Sequence, residues 1–417
     1  MKPYTISTLF IISFILLLSG CNKDSKQAGE NYKFKAEDAS HILTKAEEGM
    51  VNDNAQFGFD VVKDIAKTEP SQSFVFSPLS ATIALSMLEE GAEGETAREI
   101  ARALGFEKQE RTDINNFCRN MMVIANQSKD AIVSFANAIL LNKNKRLTLN
   151  DSYLKTAIEY YDAECVSLDF SQESTLNHIN NWASGKTNGL IPDLLPNINP
   201  GADAYLMDAL YFKAAWQEPF SRTENDVLFR KEDGTFSKVQ MMFNTNYFLY
   251  AESDDLQKLT LPYQGNAYSM DILLPRDGKT VQEIIDLLGT DEWSTLASSS
   301  EDREVIASVP SFASSSRIEL TDILKSLGIN KAFSNGDFSR LSPDDVSFDS
   351  AFQRANINVD QAGTEAAAIT VIGSDIATPP GLEKPEPVVF QADKPFAYII
   401  KHNNTNTALY IGVYMGD

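Results

Sequence analysis

The sequence predicts an α+β fold built as one large domain over residues 46–417, and three observations predict it. From about residue 50 to the C-terminus no linker, low-complexity block or repeat interrupts the apolar pattern. Helix-period and strand-period segments follow one another irregularly, without the regular βαβ succession of a parallel sheet. A hydrophobic fraction of 43% in 417 residues supplies a large core and argues against disorder.

In SFVFSPLSATIALSMLEEGAEGETAREIARALGF (73–106), a short apolar run leads to Ser77 as helix N-cap with Pro78 at the first helical position. Leu79, Ile83 and Met87 recur at helical spacing, and Gly91 ends the helix. A second helix follows and ends at Gly105. Strand-like runs occupy 131–141, 204–213, 268–275, 352–360 and 396–401, with helical stretches at 151–161 and 173–185. TEAAAITVIGSDIATPP (364–380) fits neither type: helix formers pass into strand formers and then break at Gly373 and Pro379-Pro380.

The N-terminus reads as an export signal, with Lys2 ahead of the apolar run LFIISFILLL (9–18). LSGC (18–21) resembles the bacterial lipobox, which implies a signal peptide over 1–20, cleavage before Cys21 and lipidation of its thiol. A transmembrane anchor is the other reading, but the run falls short of the roughly 20 apolar residues a span needs. Acyl chains on Cys21 would hold the exported protein on a bacterial membrane, at the outer membrane or cell surface, with residues 21–45 as a polar tether. Cys118 and Cys165 are too few for a disulfide scaffold and read as small apolar residues, with a single bridge between them left open.

The formal charge of −22 excludes a broad basic surface for nucleic acid. His41, His178 and His402 form no HExxH pair, and no Cys/His cluster offers a metal site. A GxSxG elbow and a glycine-rich phosphate loop are both absent. His178 reads as an ordinary helix residue, and His402, beside the polar NNTNT turn, as a solvated one.

The unplaced stretch acquires a pattern if it can enter a sheet as a strand. Side chains then alternate between faces. Thr364, Ala366, Ala368, Thr370, Ile372, Ser374 and Ile376 form a set without charge. Glu365, Ala367, Ile369, Val371, Gly373 and Asp375 hold both carboxylates. Only the first set suits a buried face. Gly363 supplies a joint, and Pro379-Pro380 sets a limit, because proline cannot donate to a ladder. The insertable length is then about 14 residues, or about 45 Å of strand. A surface loop rich in Ala and Thr is the plainer alternative.

SPLSATIALSMLEEGAEGETAREIARALGF, INNWASGKTNGLIPDLL, DALYFKAAWQEPF, LPYQGNAYSMDILLP, LTDILKSLGINKAFS, VDQAGTEAAAIT and KPFAYIIKHNNTNTALYIG resemble, in order, successive segments of the serpin family. The resemblance implies the serpin fold: mixed β-sheets, about nine helices and an exposed reactive-centre loop at about 361–390. It implies a suicide-substrate inhibitor. A target serine or cysteine protease attacks the loop and forms an acyl-enzyme, and the cut loop inserts into the central sheet before water releases the enzyme. Such a protein needs no catalytic residue, cofactor or metal, and works as a monomer. The alternative within the fold is a non-inhibitory binding or carrier protein.

Carried over residue by residue, the hinge comprises Gln361, Gly363, Thr364, Glu365, Ala366, Ala367 and Ala368. Gln361 stands where the family commonly has Glu. Ser77 and Ser80 match hydroxyls beneath the opening sheet, Trp216 a tryptophan where insertion starts, and Asp208 and Gln353 replace the family's usual Asn and His. Counting from the hinge places the scissile carbonyl at Ala377, with Ile376 and Thr378 on either side. Ile376 or Ala377 suits an elastase-like pocket.

Overall fold

The computed structural model describes residues 32–348, 351–365 and 385–416. Among the described residues are nine α-helices, two large sheets and the separate hairpin Val227–Arg230 with Phe236–Val239. The nine-stranded sheet runs in the order Phe74–Phe76, Thr407–Tyr414, Phe396–His402, Tyr268–Pro275, Leu256–Pro262, Met241–Glu252, Glu301–Pro310 and Val388–Gln391, with Ser221–Arg222 paired on Met241–Glu252. The six-stranded sheet runs Phe312–Glu319, Phe352–Asp360, Gly363–Thr364, Ala204–Ala215, Ala131–Asn142 and Ala163–Leu168. Strands and helices are mixed as the α+β reading expects, and the runs read at 131–141, 204–213, 268–275, 352–360 and 396–401 each fall on a strand.

Ala204–Ala215 shows why the sheet reads as continuous apolar runs. Leu210, Phe212 and Ala214 face the main core, whereas Met207 and Ala209 pack with Ile179 and Ala183 of helix Glu173–Lys186 on the opposite face. A strand covered on both sides cannot alternate apolar with polar. The charged exceptions in this run are Asp208, which is buried, and Lys213, which is half-buried near the strand's end.

Helix Pro78–Gly91 begins and ends where the sequence places it, and every one of its residues is buried. Its polar residues Ser80, Thr82, Ser86, Glu89 and Glu90 are buried along with the apolar ones, so the helix runs through the core with no solvent face. Gly91 is fixed by contact, since a Cβ there would lie 2.9 Å from the Leu341 side chain. The Ser77 side chain departs from the capping expectation: its backbone takes the N-cap position, but its hydroxyl makes no cap bond.

Two further expectations change. From Tyr32 onward the segment read as a tether lies against the body: the Tyr32 hydroxyl donates to Asp151 at 2.7 Å, the Lys35 N–H donates to the Glu159 carbonyl at 3.1 Å, and the Ser40 N–H donates to Asn120 at 2.8 Å. His402 is not solvated. It is buried, Nδ1 lies 2.8 Å from the Thr405 hydroxyl, and burial pushes its pKa down. Cys118 and Cys165 are free and buried, so the open bridge is not formed, and burial raises both thiols to about 12.

Candidate functional site

Strands Phe352–Asp360 and Ala204–Ala215 share no ladder with each other among the described residues; only Gly363–Thr364 stands between them. The hinge predicted to enter a sheet has two of its residues, Gly363 and Thr364, already in one. Val359 and Ala214 flank Thr364, and Asp360 and Ala215 flank Gly363. The approach to this position is a tight turn in which the Asp360 carboxylate accepts from the Ala362 N–H at 2.7 Å and the Gly363 N–H at 3.2 Å. Gly363 has φ +151°, a region that glycine occupies at no steric cost. Gln361 contributes through its backbone, its carbonyl accepting from the Phe220 N–H at 2.9 Å.

Thr364 is 1% exposed, and its hydroxyl shares a 2.6 Å hydrogen bond with Tyr263. Tyr263 stacks on Trp216 with ring centroids 4.4 Å apart, and the Trp216 indole N–H donates to the Asp360 carbonyl at 2.9 Å. The Trp216 backbone N–H also donates to the Ala362 carbonyl at 2.9 Å, so this tryptophan braces the turn from both its ring and its main chain. Tyr263, the tyrosine of LPYQG, was not singled out from the sequence; no periodicity marks it, and only the fold sets it against the hinge.

The chain leaves the sheet at Glu365, whose N–H still donates to the Asn358 carbonyl at 3.0 Å and whose φ is +53°. Its carboxyl lies on the opposite face from Thr364, beside Tyr211 and Lys213. Partial burial raises its pKa and those two neighbours oppose the rise. Ala366, Ala367, Ala368, Ile376, Ala377 and Thr378 lie outside the described residues, as does Cys21. At the far end of the stretch, Val388–Gln391 forms an edge strand on Glu301–Pro310, so the span read as loop at 361–390 is anchored in a sheet at each end.

Of the five residues read as the sheet-opening gate, Ser77, Ser80, Asp208 and Gln353 meet, whereas Trp216 stands apart at the hinge turn. The Ser80 hydroxyl donates to Asp208, Gln353 lies beside the same carboxyl, and the Gln353 amide clasps the Ser77 backbone, donating to its carbonyl at 3.0 Å and accepting from its N–H at 2.7 Å. Burial raises the Asp208 carboxyl to about 6 against the opposing pull of its Ser80 and Gln353 hydrogen bonds. The Ser77 hydroxyl is buried without a hydrogen-bond partner. It is therefore the serine's main chain that joins the gate. Below Asp208 lies an apolar cavity of about 40 Å³, bounded by Leu206, Ala351, Leu85, Leu324 and Phe348.

The ladder registers can be continued down this seam. Residues 366, 368, 370 and 372 would fall opposite Phe212 and Ile357, Leu210 and Ala355, Asp208 and Gln353, and Leu206 and Ala351, respectively. Ala366 would thus meet the bulkiest pair of the seam, Phe212 and Ile357, Thr370 would reach the gate carboxyl, and Ile372 would meet the cavity. No cluster of metal-ligating side chains occurs among the described residues.

A family profile described as Serpin (serine protease inhibitor) matches residues 52–416. An uncharacterized serpin-like protein of Thermococcus kodakarensis is 29% identical over 427 residues, covering 98% of each chain. Human Serpin B11 is 31% identical over 388 residues, covering 86% of this chain and 97% of that one. The crystal structure of tengpin, a thermophilic serpin in the native state, superposes with a TM-score of 0.82 at 27% identity over 94% of this chain and 99% of that one. With its fold, its hinge between two separated strands and these likenesses, the chain belongs to the serpin family of serine protease inhibitors.

Proposed function

We propose that this serpin is a suicide-substrate inhibitor of serine proteases with elastase-like preference, cut at Ala377, that traps the acyl-enzyme by drawing its loop into the six-stranded sheet. The observation that carries the reading is the position of Gly363–Thr364, already laddered on both sides at the head of an unpaired seam. Loop insertion extends a register that exists. Both ends of the loop are held while it is intact, so the gain stays kinetically trapped until one is cut. The test mixes the mature domain with pancreatic elastase, chymotrypsin, trypsin, subtilisin and papain. A covalent complex on a denaturing gel, with a released peptide whose mass begins at Thr378, is the expected result. Clean proteolysis across the panel, with no complex, removes the proposal.

The lipobox-like LSGC supports a further part of this proposal, that Cys21 is lipidated and anchors the inhibitor to a bacterial membrane surface. Cys21→Ala should move it from the membrane fraction to the soluble fraction, and a variant that stays on the membrane removes the anchor.

Asp208 gives the gate a pH dependence whose sign follows from its shift. The folded-state pKa of about 6 lies above the ordinary 3.8, so between these values the native state binds more protons than the unfolded chain. Stability is therefore present at low pH and is lost as pH rises through about 6. A shift of about two units corresponds to about 3 kcal/mol at neutral pH. Asp208→Asn keeps the hydrogen-bonding shape and removes the charge. It should raise the thermal midpoint of the uncut protein by about 4 °C at pH 7.5 and leave it unchanged near pH 4. Equal shifts at both pH values would show that the effect is not titration of this carboxyl.

A further inference from the structure

We infer that the bare face of the nine-stranded sheet beside the loop's C-terminal anchor is a second docking surface for the target protease, an inference that rests on the inhibitory reading above. The registers put its residues together. Across Met241–Glu252, Glu301–Pro310 and Val388–Gln391, Ile306 lies between Thr245 and Val389, Glu304 beside Tyr247, Asp302 beside Leu249 and Ser308 beside Phe243. Alternation then sends Phe243, Tyr247, Leu249, Ile306 and Val389 to one side of three adjacent strands.

That side is open. These five are 39%, 48%, 48%, 42% and 61% exposed, whereas Phe248, Tyr250, Val305, Ala307 and Phe390, on the other side of the same strands, are buried. One exposed apolar side chain is ordinary; five on one face of three strands form a patch. Its aromatic and branched members are of the kind that anchor protein interfaces.

Chain length chooses the occupant. Only eight Cα–Cα steps, through the seven residues 378–384, separate Ala377 from Pro385, where the described chain resumes three residues before Val388. Fully extended, they span at most about 28 Å. A protease domain of about 220 residues is about 40 Å across, so an enzyme engaged at Ala377 is held over or beside this face. Asp302 and Glu304 share the face with the apolar residues. The matching surface is therefore an apolar patch rimmed by Lys or Arg beside the enzyme's cleft.

The double substitution Tyr247→Ser with Leu249→Ser tests the surface without touching the loop, hinge or gate. With each panel enzyme that the wild-type domain traps, the second-order rate of covalent complex formation should fall about tenfold, the stoichiometry and thermal midpoint staying unchanged. Leu228→Ser, at a still more exposed leucine on the separate hairpin Val227–Arg230 and Phe236–Val239, should leave the rate unchanged. Equal rates for the double variant and wild type with every trapped enzyme overturn the docking surface and leave the inhibitory reading standing. Sedimentation showing a dimer that the double variant dissolves overturns it in favour of a second copy of this chain. A wild-type domain that traps no panel enzyme removes the inhibitory reading itself, and the docking surface falls with it.

Discussion

Thr364→Arg should convert the inhibitor into a substrate. The threonine side chain is 1% exposed, enclosed by Val359, Ala214 and the Tyr263 hydroxyl, and nothing anionic stands among these neighbours. Burying an unpaired guanidinium costs several kcal/mol even after relaxation. Because Thr364 is already inside, the substitution acts twice: it expels the hinge from the intact sheet, and it must be dragged back before the rest of the loop can follow. A cost of about 3 kcal/mol slows insertion roughly a hundredfold. The recognition residues near Ala377 are untouched, so acylation proceeds and deacylation wins. The number of inhibitor molecules consumed per enzyme trapped should climb from about one to well above ten. Glu365→Arg is the control, since its side chain points to the other face beside Tyr211 and Lys213. Its φ of +53° costs Arg about as much as Glu, so backbone strain does not confuse the comparison. If both variants trap enzyme equally well, or lose it equally, the two-face reading of the hinge is wrong.

Local pattern made much of this legible. The helix at 78–91 is framed by Pro78 and Gly91, both readable locally, although what requires a glycine at 91 is the distant Leu341 side chain. The uncharged alternate positions from Thr364 onward anticipated the buried face on which the structure sets Thr364. Other features depend on contacts between distant parts of the chain. That Gly363 and Thr364 already occupy the sheet follows from the Asp360 turn and from Trp216 and Tyr263, which lie about 150 and 100 residues upstream, respectively. Ser77 looked like a side-chain cap because its neighbours are right for one, yet the Gln353 amide satisfies its backbone and leaves the hydroxyl without a partner. His402 looked solvated because NNTNT is polar, but the turn folds back so that Thr405 meets the imidazole. The docking face was invisible for a similar reason. Exposed and buried residues alternate in Met241–Glu252, but only strand pairing shows that Ile306 and Val389 extend the same bare surface.

A single nick in the loop should stabilise the protein, by at least about 10 °C in thermal midpoint. Cutting an ordinary surface loop releases chain entropy and leaves stability equal or lower. Here the cut frees one end of a strand whose first two residues are already laddered, so the rest can follow once the two flanking strands part at the Asp208–Gln353 contact. Ala204–Ala215 is 12 residues long and pairs with only two hinge residues, so ten further positions, 365 to 374, have a flanking strand on at least one side. In the extended register the inward side chains are Ala366, Ala368, Thr370, Ile372 and Ser374, none of them charged. Thr370 brings a hydroxyl to Asp208, and Ile372 brings four carbons to the apolar cavity bounded by Leu206 and Ala351. For a domain of about 370 residues each kcal/mol moves the midpoint by about 1.3 °C, so a 10 °C rise corresponds to about 8 kcal/mol. Limited elastase digestion followed by calorimetry measures it. Two substitutions locate the source of the gain. Ile372→Ala should reduce it by leaving the cavity unfilled, at a cost of about 2–4 kcal/mol or about 3–5 °C. The outward Val371→Ala should cost less, since the helix Glu173–Lys186 covers that face only in part. A nicked protein that melts at or below the temperature of the intact one would remove insertion altogether. A full gain that Ile372→Ala does not diminish would keep insertion but place the register elsewhere.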